Sequence, residues 1–256
     1  MRSTFQVAGH EIEYERHNRG GDAPWIVFLH EGLGSIDLWR SFPMDVVAAT
    51  ERPAVIYSRY GHGFSDTLTD PRDVDFMHHE ALAVLPAILA NLGIERPILI
   101  GHSDGASIAL IFAGAGHPVA GIVAYAPHVF VEPATIASIK MAKEAFIMTD
   151  LADRMARYHQ DPAATFRGWN NVWLEPAFAD WDITEYLPNI SCPILLVQGL
   201  DDEYGTLAQL DAIETAVGGP VERLELPDCR HAPHIDRRPE TLQATVRFVN
   251  RVASTR

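Results

Sequence analysis

Three groups of residues carry side chains able to do nucleophilic chemistry together. The first is Ser103 in the segment Gly101-His102-Ser103-Asp104-Gly105, the second the carboxylates of Gly199-Leu200-Asp201-Asp202-Glu203, and the third the histidines of Arg230-His231-Ala232-Pro233-His234. A serine hydroxyl attacks a carbonyl only when a base removes its proton, and the base must itself be held in place by a third group. Glycines on either side of Ser103 permit a sharp strand-to-helix turn that lifts the hydroxyl above a sheet. The Gly-x-Ser-x-Gly spacing is weak by itself, because chance produces it in roughly one chain in ten of this length. A glycine-bounded serine capping a helix is the plain alternative. The sequence around it therefore has to decide.

Pro97 to Ile100, before Ser103, is a short apolar run, and a helical run follows from Ala106 to Ala115. The same alternation extends along the chain. Strand-like runs occupy Trp25 to Leu29, Ala54 to Tyr57, Pro97 to Ile100, Gly121 to Tyr125, Pro193 to Val197 and Val221 to Leu226. Most are almost continuously apolar, as strands covered on both faces are. Helical periodicity fills Leu38 to Ala49, Phe76 to Asn91, Leu207 to Ala216 and Pro239 to Val252. This pattern predicts an α/β fold with a mostly parallel central sheet flanked by helices. Phe5 to Val7 and Ile12 to Tyr14, around Ala8-Gly9-His10, read as an antiparallel hairpin at its edge.

The segment 131–188 interrupts the alternation. It holds no strand-like run but three of the five tryptophans, and it reads as a wholly helical lid inserted into a core made of residues 1–130 and 189–256. Met141, Phe146, Trp169 and Trp173 within it are candidates for lining a substrate pocket. Packing between lid and core explains such residues equally well.

Composition narrows the partners. The 256 residues are 47% hydrophobic, enough for a sizeable core, and 34 acidic against 20 basic residues give a net charge of −14. That balance, without any basic run, disfavours nucleic acid. No apolar stretch is long enough to span a membrane, and the first residues read as strand instead of signal peptide. Cys192 and Cys229 cannot form a disulfide framework, which fits a cytoplasmic setting. His231-x-x-His234 could be a pair of surface histidines or part of a metal site, but no His-Glu-x-x-His and no cysteine cluster accompanies it. His78-His79 lie side by side in a helix, face different directions and read as surface and packing. The expected partner is a small-molecule substrate, with no metal and no cofactor. Oligomeric state is not addressed by the sequence.

With serine, acid and histidine in that order, the chain resembles the α/β-hydrolase superfamily from the first hairpin to the last helix. The resemblance implies an α/β-hydrolase fold with Ser103 as nucleophile, His231 as base ahead of His234, and Asp202 as the acid member, with Asp201 a close second. It departs from the family pattern at Arg230, where a glycine is usual. The family's oxyanion loop falls on His30-Glu31-Gly32-Leu33-Gly34, which places the backbone N–H of Gly32 opposite that of Asp104. Glu31 stands where glycine is usual, and a plain glycine-rich turn is the alternative. Tyr57-Ser58-Arg59-Tyr60-Gly61-His62-Gly63-Phe64-Ser65-Asp66 resembles the family's Asp-x-Arg-Gly-x-Gly-x-Ser segment, a structural one.

Asp104 is similar to its counterpart in the Ser-Asp-Gly elbows of the valacyclovir-hydrolase type, as is the segment Pro127-His128-Val129-Phe130-Val131-Glu132 leading into the lid. That likeness implies a carboxylate near the acyl site that could pair with an amine. An acid in the first turn of a helix also complements the helix dipole without any ligand. The expected activity is hydrolysis of a carboxylic ester or related acyl bond. Carbon–carbon bond hydrolases of the superfamily use the same triad, but their Gly-Gly-x-Gly-Pro-Gly loop is absent. Dehalogenases and epoxide hydrolases need an aspartate in place of Ser103. A ligand-binding protein on the same scaffold is the rival of a different class.

Overall fold

A computed structural model describes residues 2–18 and 24–254. The outermost positions of the expected core, 1 and 255–256, and residues 19–23 lie outside the described residues. The chain opens with β1 (Arg2–Val7) and β2 (His10–His17), an antiparallel pair in register from Arg2 opposite Glu15 to Val7 opposite His10. Ala8 and Gly9 turn between them with φ of 51° and 84°. This left-handed pair matches the twist of the two strands, which is why short hairpins favour it.

Six further strands follow: β3 (Ile26–Leu29), β4 (Ala54–Tyr57), β5 (Ile98–His102), β6 (Gly121–Tyr125), β7 (Ile194–Gly199) and β8 (Val221–Leu226). Among the described residues they form one eight-stranded sheet in the order β1-β2-β4-β3-β5-β6-β7-β8, with β3 to β8 parallel. β2 meets β4 antiparallel, so the hairpin caps one edge as the sequence predicts. Side chains alternate across the parallel strands. Val27, Leu29, Val55, Leu99 and Leu196 enter one core, and Ile26, Phe28, Ile56, Ile100 and Val197 the other.

Helices cover both faces. α1 (Phe42–Thr50) comes first; α2 (Phe76–His79) and α3 (Leu85–Leu92) flank a π-helical stretch, Glu80–Val84. α4 (Asp104–Gly114) follows β5 and is buried along its whole length. The predicted helix Leu38 to Ala49 is divided, because Arg40 takes φ 53° and the helix restarts where Pro43 favours a first turn. The π-helical stretch ends at Val84, two residues before Pro86, which has no N–H to donate to the Leu82 carbonyl. His78 packs against the ring of Tyr186, and His79 is exposed.

Between β6 and β7 the chain forms α5 (Pro133–Met148), α6 (Leu151–Met155), α7 (Pro162–Trp173) and two 3-10 turns, Pro176–Asp180 and Thr184–Asn189. An isolated bridge between Phe130 and Asp182 closes the neck of this helical insertion. α8 (Ala208–Ala216), α9 (Pro233–Asp236) and α10 (Arg238–Ser254) complete the chain. Phe248, Val249 and Val252 of α10 join Val46 and Val47 of α1 in the core on one face of the sheet. Ile108 and Leu110 of α4 and Leu210 and Ile213 of α8 fill the other. Among the described residues no helix is long and apolar enough to cross a membrane.

Candidate active site

Ser103 stands between β5 and α4 with φ 52° and ψ −119°, a conformation that non-glycine residues rarely adopt. It is held from both sides. Its N–H donates to Tyr125 O at 2.9 Å, extending the ladder to β6, and its carbonyl accepts from Ala106 N at 2.8 Å and Ser107 N at 3.1 Å. The motif glycines are required by space. A Cβ on Gly105 would lie 2.0 Å from Leu29 O, and one on Gly101 would lie 2.4 Å from Gly105 O.

Asp202 and His231 meet at the ends of β7 and β8. His231 Nδ1 lies 2.9 Å from Asp202 Oδ1 and 3.0 Å from Oδ2. The carboxylate also accepts from Tyr204 N at 2.8 Å and Gly205 N at 3.3 Å, so its own loop orients it as well as the histidine does. Burial opposes its ionisation, but His231 and these donors hold its pKa below the usual carboxylate range. Burial likewise opposes a charged His231, and the Asp202 charge and hydrogen bond override it, raising the imidazole. Asp201 is exposed, its N–H donating to Cys229 O at 2.9 Å. Gly199 lets the two loops touch, since a Cβ there would lie 2.0 Å from Cys229 O.

His234 is packed away from this pair. Its ring lies 4.8 Å from Trp39 and 5.6 Å from Phe42, and burial pushes its pKa well below that of a free imidazole. Arg230, the departure from the family pattern, is exposed; its backbone N–H and Nε donate to Asp236 at 3.1 and 3.2 Å. The described residues contain no cluster of three or more ligands able to hold a metal ion.

Ser103 and His231 line one cavity of about 340 Å³. Gly32, Asp104, Trp169 and Trp173 of the sequence-predicted residues also line it. Three do not: Asp202 lies behind His231, Met141 is 69% exposed, and Phe146 stacks on Phe166 at 4.0 Å. α5 turns Thr135 and Ile139, one helical turn apart, to the cavity, so Met141, two positions beyond Ile139, falls on another face, while Phe146, seven beyond, shares that face but lies two turns further along, where it meets Phe166. A larger groove of about 660 Å³ between residues 68–74 and α7 contains none of Ser103, Asp202 and His231.

Gly32 is pressed against the insertion. A Cβ there would lie 2.2 Å from the Trp169 ring and 3.0 Å from Asp104 Oδ2. Asp104 is 1% exposed, and its Oδ1 has no hydrogen-bond partner. Burial raises its pKa. Neighbouring Glu31, 3.6 Å from His102 Nδ1, behaves oppositely: burial works against its charge, and the His102 imidazole outweighs it, holding Glu31 at about 2.

Sequence reasoning gave no role to His102, His128 and Tyr204 and took Glu203 only as one carboxylate of the acid loop; all four line the cavity. His102 Nε2 donates to the His231 carbonyl at 2.8 Å, tying the elbow to the histidine loop. It occupies a freely variable place in the elbow pattern, which therefore carries no signal for it. His128 lies 5.7 Å from His231 and Tyr204 4.8 Å, ring to ring. Burial, foremost, brings His128 down to about 3, so it stays neutral.

Comparison with known proteins agrees with this architecture. The chain is 29% identical over 221 residues to a non-heme chloroperoxidase of Burkholderia pyrrocinia, covering 73% of this chain and 77% of that protein. It is 27% identical over 216 residues to a bifunctional esterase/perhydrolase of Acinetobacter calcoaceticus, covering 71% and 75%. The solved structure of a thermophilic esterase from Thermogutta terrifontis superposes with a TM-score of 0.76 over 99% of both chains at 16% identity, a likeness of fold. The profile of the Alpha/beta hydrolase family matches residues 26–244, most of the chain and all the residues assembled above, and the protein is a hydrolase belonging to that family.

Proposed function

We propose that the protein cleaves a carboxylic ester, or a related acyl bond, of a small organic substrate through an acyl-serine intermediate. The observation that carries this reading is the His231–Asp202 hydrogen bond beside a strained Ser103 on a shared cavity. His231 Nδ1–H donates to Asp202, leaving Nε2 as the proton acceptor. Ser103 Oγ attacks the carbonyl carbon while Nε2 takes its proton. Negative charge then forms on the carbonyl oxygen, where the backbone N–H groups of Gly32 and Asp104 donate to it. The leaving alcohol departs with the proton from His231. Water, deprotonated by the same nitrogen, attacks the acyl-serine, and the acid is released as that proton passes from His231 to Ser103 Oγ.

The helical insertion acts as a lid in this reading, supported by Thr135, Ile139, Trp169 and Trp173 on the cavity wall. A carbon–carbon bond hydrolase would use the same triad, but His30-Glu31-Gly32-Leu33-Gly34 lacks the glycine-rich loop of that type. Cys192 and Cys229, both free, fit a reducing cytoplasmic setting.

Asp104 supports a narrower substrate class. A buried carboxylate with an unpartnered oxygen is costly unless a ligand satisfies it. A substrate ammonium group, as in an aminoacyl ester, would provide that partner. The dipole of α4 alone offers Asp104 no side-chain hydrogen bond.

Fluorophosphonate labelling of the wild type and Ser103→Ala, with turnover of a short-chain p-nitrophenyl ester, tests the central reading. Labelling and turnover should both disappear in the variant. A folded wild-type protein showing neither would favour a ligand-binding role.

A further inference from the structure

The loop after β3 is held by its carbonyl oxygens. Arg59 NH1 donates to His30 O at 2.5 Å and NH2 to Glu31 O at 3.0 Å. His62 Nε2 bonds Gly32 O at 3.0 Å, and His159 Nε2 bonds Leu33 O at 2.9 Å. Four consecutive carbonyls are thus bonded to side chains of other segments. In a trans peptide the N–H points opposite its carbonyl. Holding Glu31 O therefore sets the direction of the Gly32 N–H. Leu33 O and Gly34 N belong to one peptide, and Gly34 N closes the turn by donating to Glu31 O at 3.0 Å.

Arg59 and His62 follow β4 and belong to the sheet domain, but His159 does not. It lies between α6 and α7 in the helical insertion, 2% exposed. Its Nδ1 accepts from Gly63 N at 3.0 Å, so the ring carries its proton on Nε2, the nitrogen facing Leu33 O. Burial keeps the ring neutral, as both bonds require. The neighbouring Gln160 N adds a backbone bond to Gly63 O at 2.8 Å. One imidazole therefore joins the insertion, the loop around Gly63 and the loop around Gly32.

We propose that His159 is a positioning residue that couples the seating of the helical insertion to the geometry of the oxyanion loop. The inference rests on the reading of Ser103 as nucleophile and Gly32 as oxyanion donor. Its consequence is that displacing the insertion loosens the turn that orients the Gly32 N–H, so a mobile insertion gates transition-state stabilisation as well as access.

The test uses His159→Phe, which removes both bonds in a similar volume, and His159→Gln, which retains a donor and an acceptor. Thr165→Val is the control. It removes another bond from the insertion to the sheet domain, Thr165 Oγ1 to Gly61 O at 2.7 Å, without touching residues 30–34. Amide hydrogen exchange at Gly34 and the kcat and KM for p-nitrophenyl acetate are measured in each. In His159→Phe, exchange should quicken about 10-fold or more and kcat should fall about 10- to 100-fold, with KM within about twofold. His159→Gln should recover part of both, and Thr165→Val should stay near wild type. Unchanged exchange, unchanged kcat, a loss confined to KM, or equal losses in Thr165→Val would each overturn the proposal. If His159→Phe does not fold, the same outcomes are read from His159→Leu, which also removes both bonds. Equal turnover by Ser103→Ala and wild type would refute the serine reading and the catalytic half of this proposal, while exchange at Gly34 separately decides whether the tie exists.

Discussion

His231 Nδ1 lies 2.9 Å from Asp202 Oδ1, while the neighbouring Asp201 faces solvent. Two adjacent carboxylates in one turn thus have different environments, and only one orients an imidazole. Asp202→Asn should lower kcat by about 10³- to 10⁴-fold, because an amide can stabilise the wrong tautomer and cannot balance the imidazolium. Asp201→Asn should stay within about threefold of wild type. Steady-state kinetics on a p-nitrophenyl ester check both, and comparable losses would remove the distinction.

In the proposed mechanism the same pair sets the pH dependence. His231 must be neutral to act as base, and its pKa is raised. The acid limb of kcat/KM should therefore inflect above the ordinary imidazole value of about 6.5. In Asp202→Asn the carboxylate is gone and burial remains, so residual activity should inflect at lower pH. An inflection unmoved between the two enzymes would assign that limb to another group.

Asp104→Asn keeps the shape but removes the charge beside the cavity. If Asp104 pairs with an ammonium group, kcat/KM for an aminoacyl ester should fall by about 10-fold or more, with a neutral ester of the same size changed less than about threefold. Equal losses on both would reduce Asp104 to a structural acid at the start of α4.

Gly105→Ala places a methyl group 2.0 Å from Leu29 O, a backbone atom that cannot swing aside. It should destabilise the fold by about 1–3 kcal/mol or more by overpacking. Denaturant unfolding measures the loss. Gly9→Ala meets nothing within 4 Å, so its cost should come only from its φ of 84° and stay near about 1 kcal/mol.

Trp169 and Met141 separate the cavity wall from the outer face of the insertion. Trp169→Ala should alter acyl-chain preference, because its ring lies against Gly32 and the cavity. Met141→Ala should leave chain-length preference as in wild type, since its side chain is exposed. A panel of p-nitrophenyl esters of increasing acyl length distinguishes them.

The local pattern of the chain determined a large part of this protein. Continuous apolar runs specified β3 to β7, and the small residues around Ser103 specified the elbow, since both depend on neighbours a few positions away. Order along the chain, together with the resemblance to the α/β-hydrolase pattern, pointed to His231 and to Asp202 with Asp201 a close second. Only tertiary structure separated Asp202 from Asp201, because burial and the hydrogen bonds from Tyr204 and Gly205 depend on how the loop folds. It also removed Met141 and Phe146 from the cavity, since a hydrophobic side chain does not record which face or which turn of a helix meets which partner. His102 and His159 became visible only when segments distant in sequence met: His102 bonds the carbonyl of residue 231, and His159 that of residue 33. Contacts made to backbone carbonyls leave no mark on the partner's residue type, and for that reason the sequence alone did not reveal them.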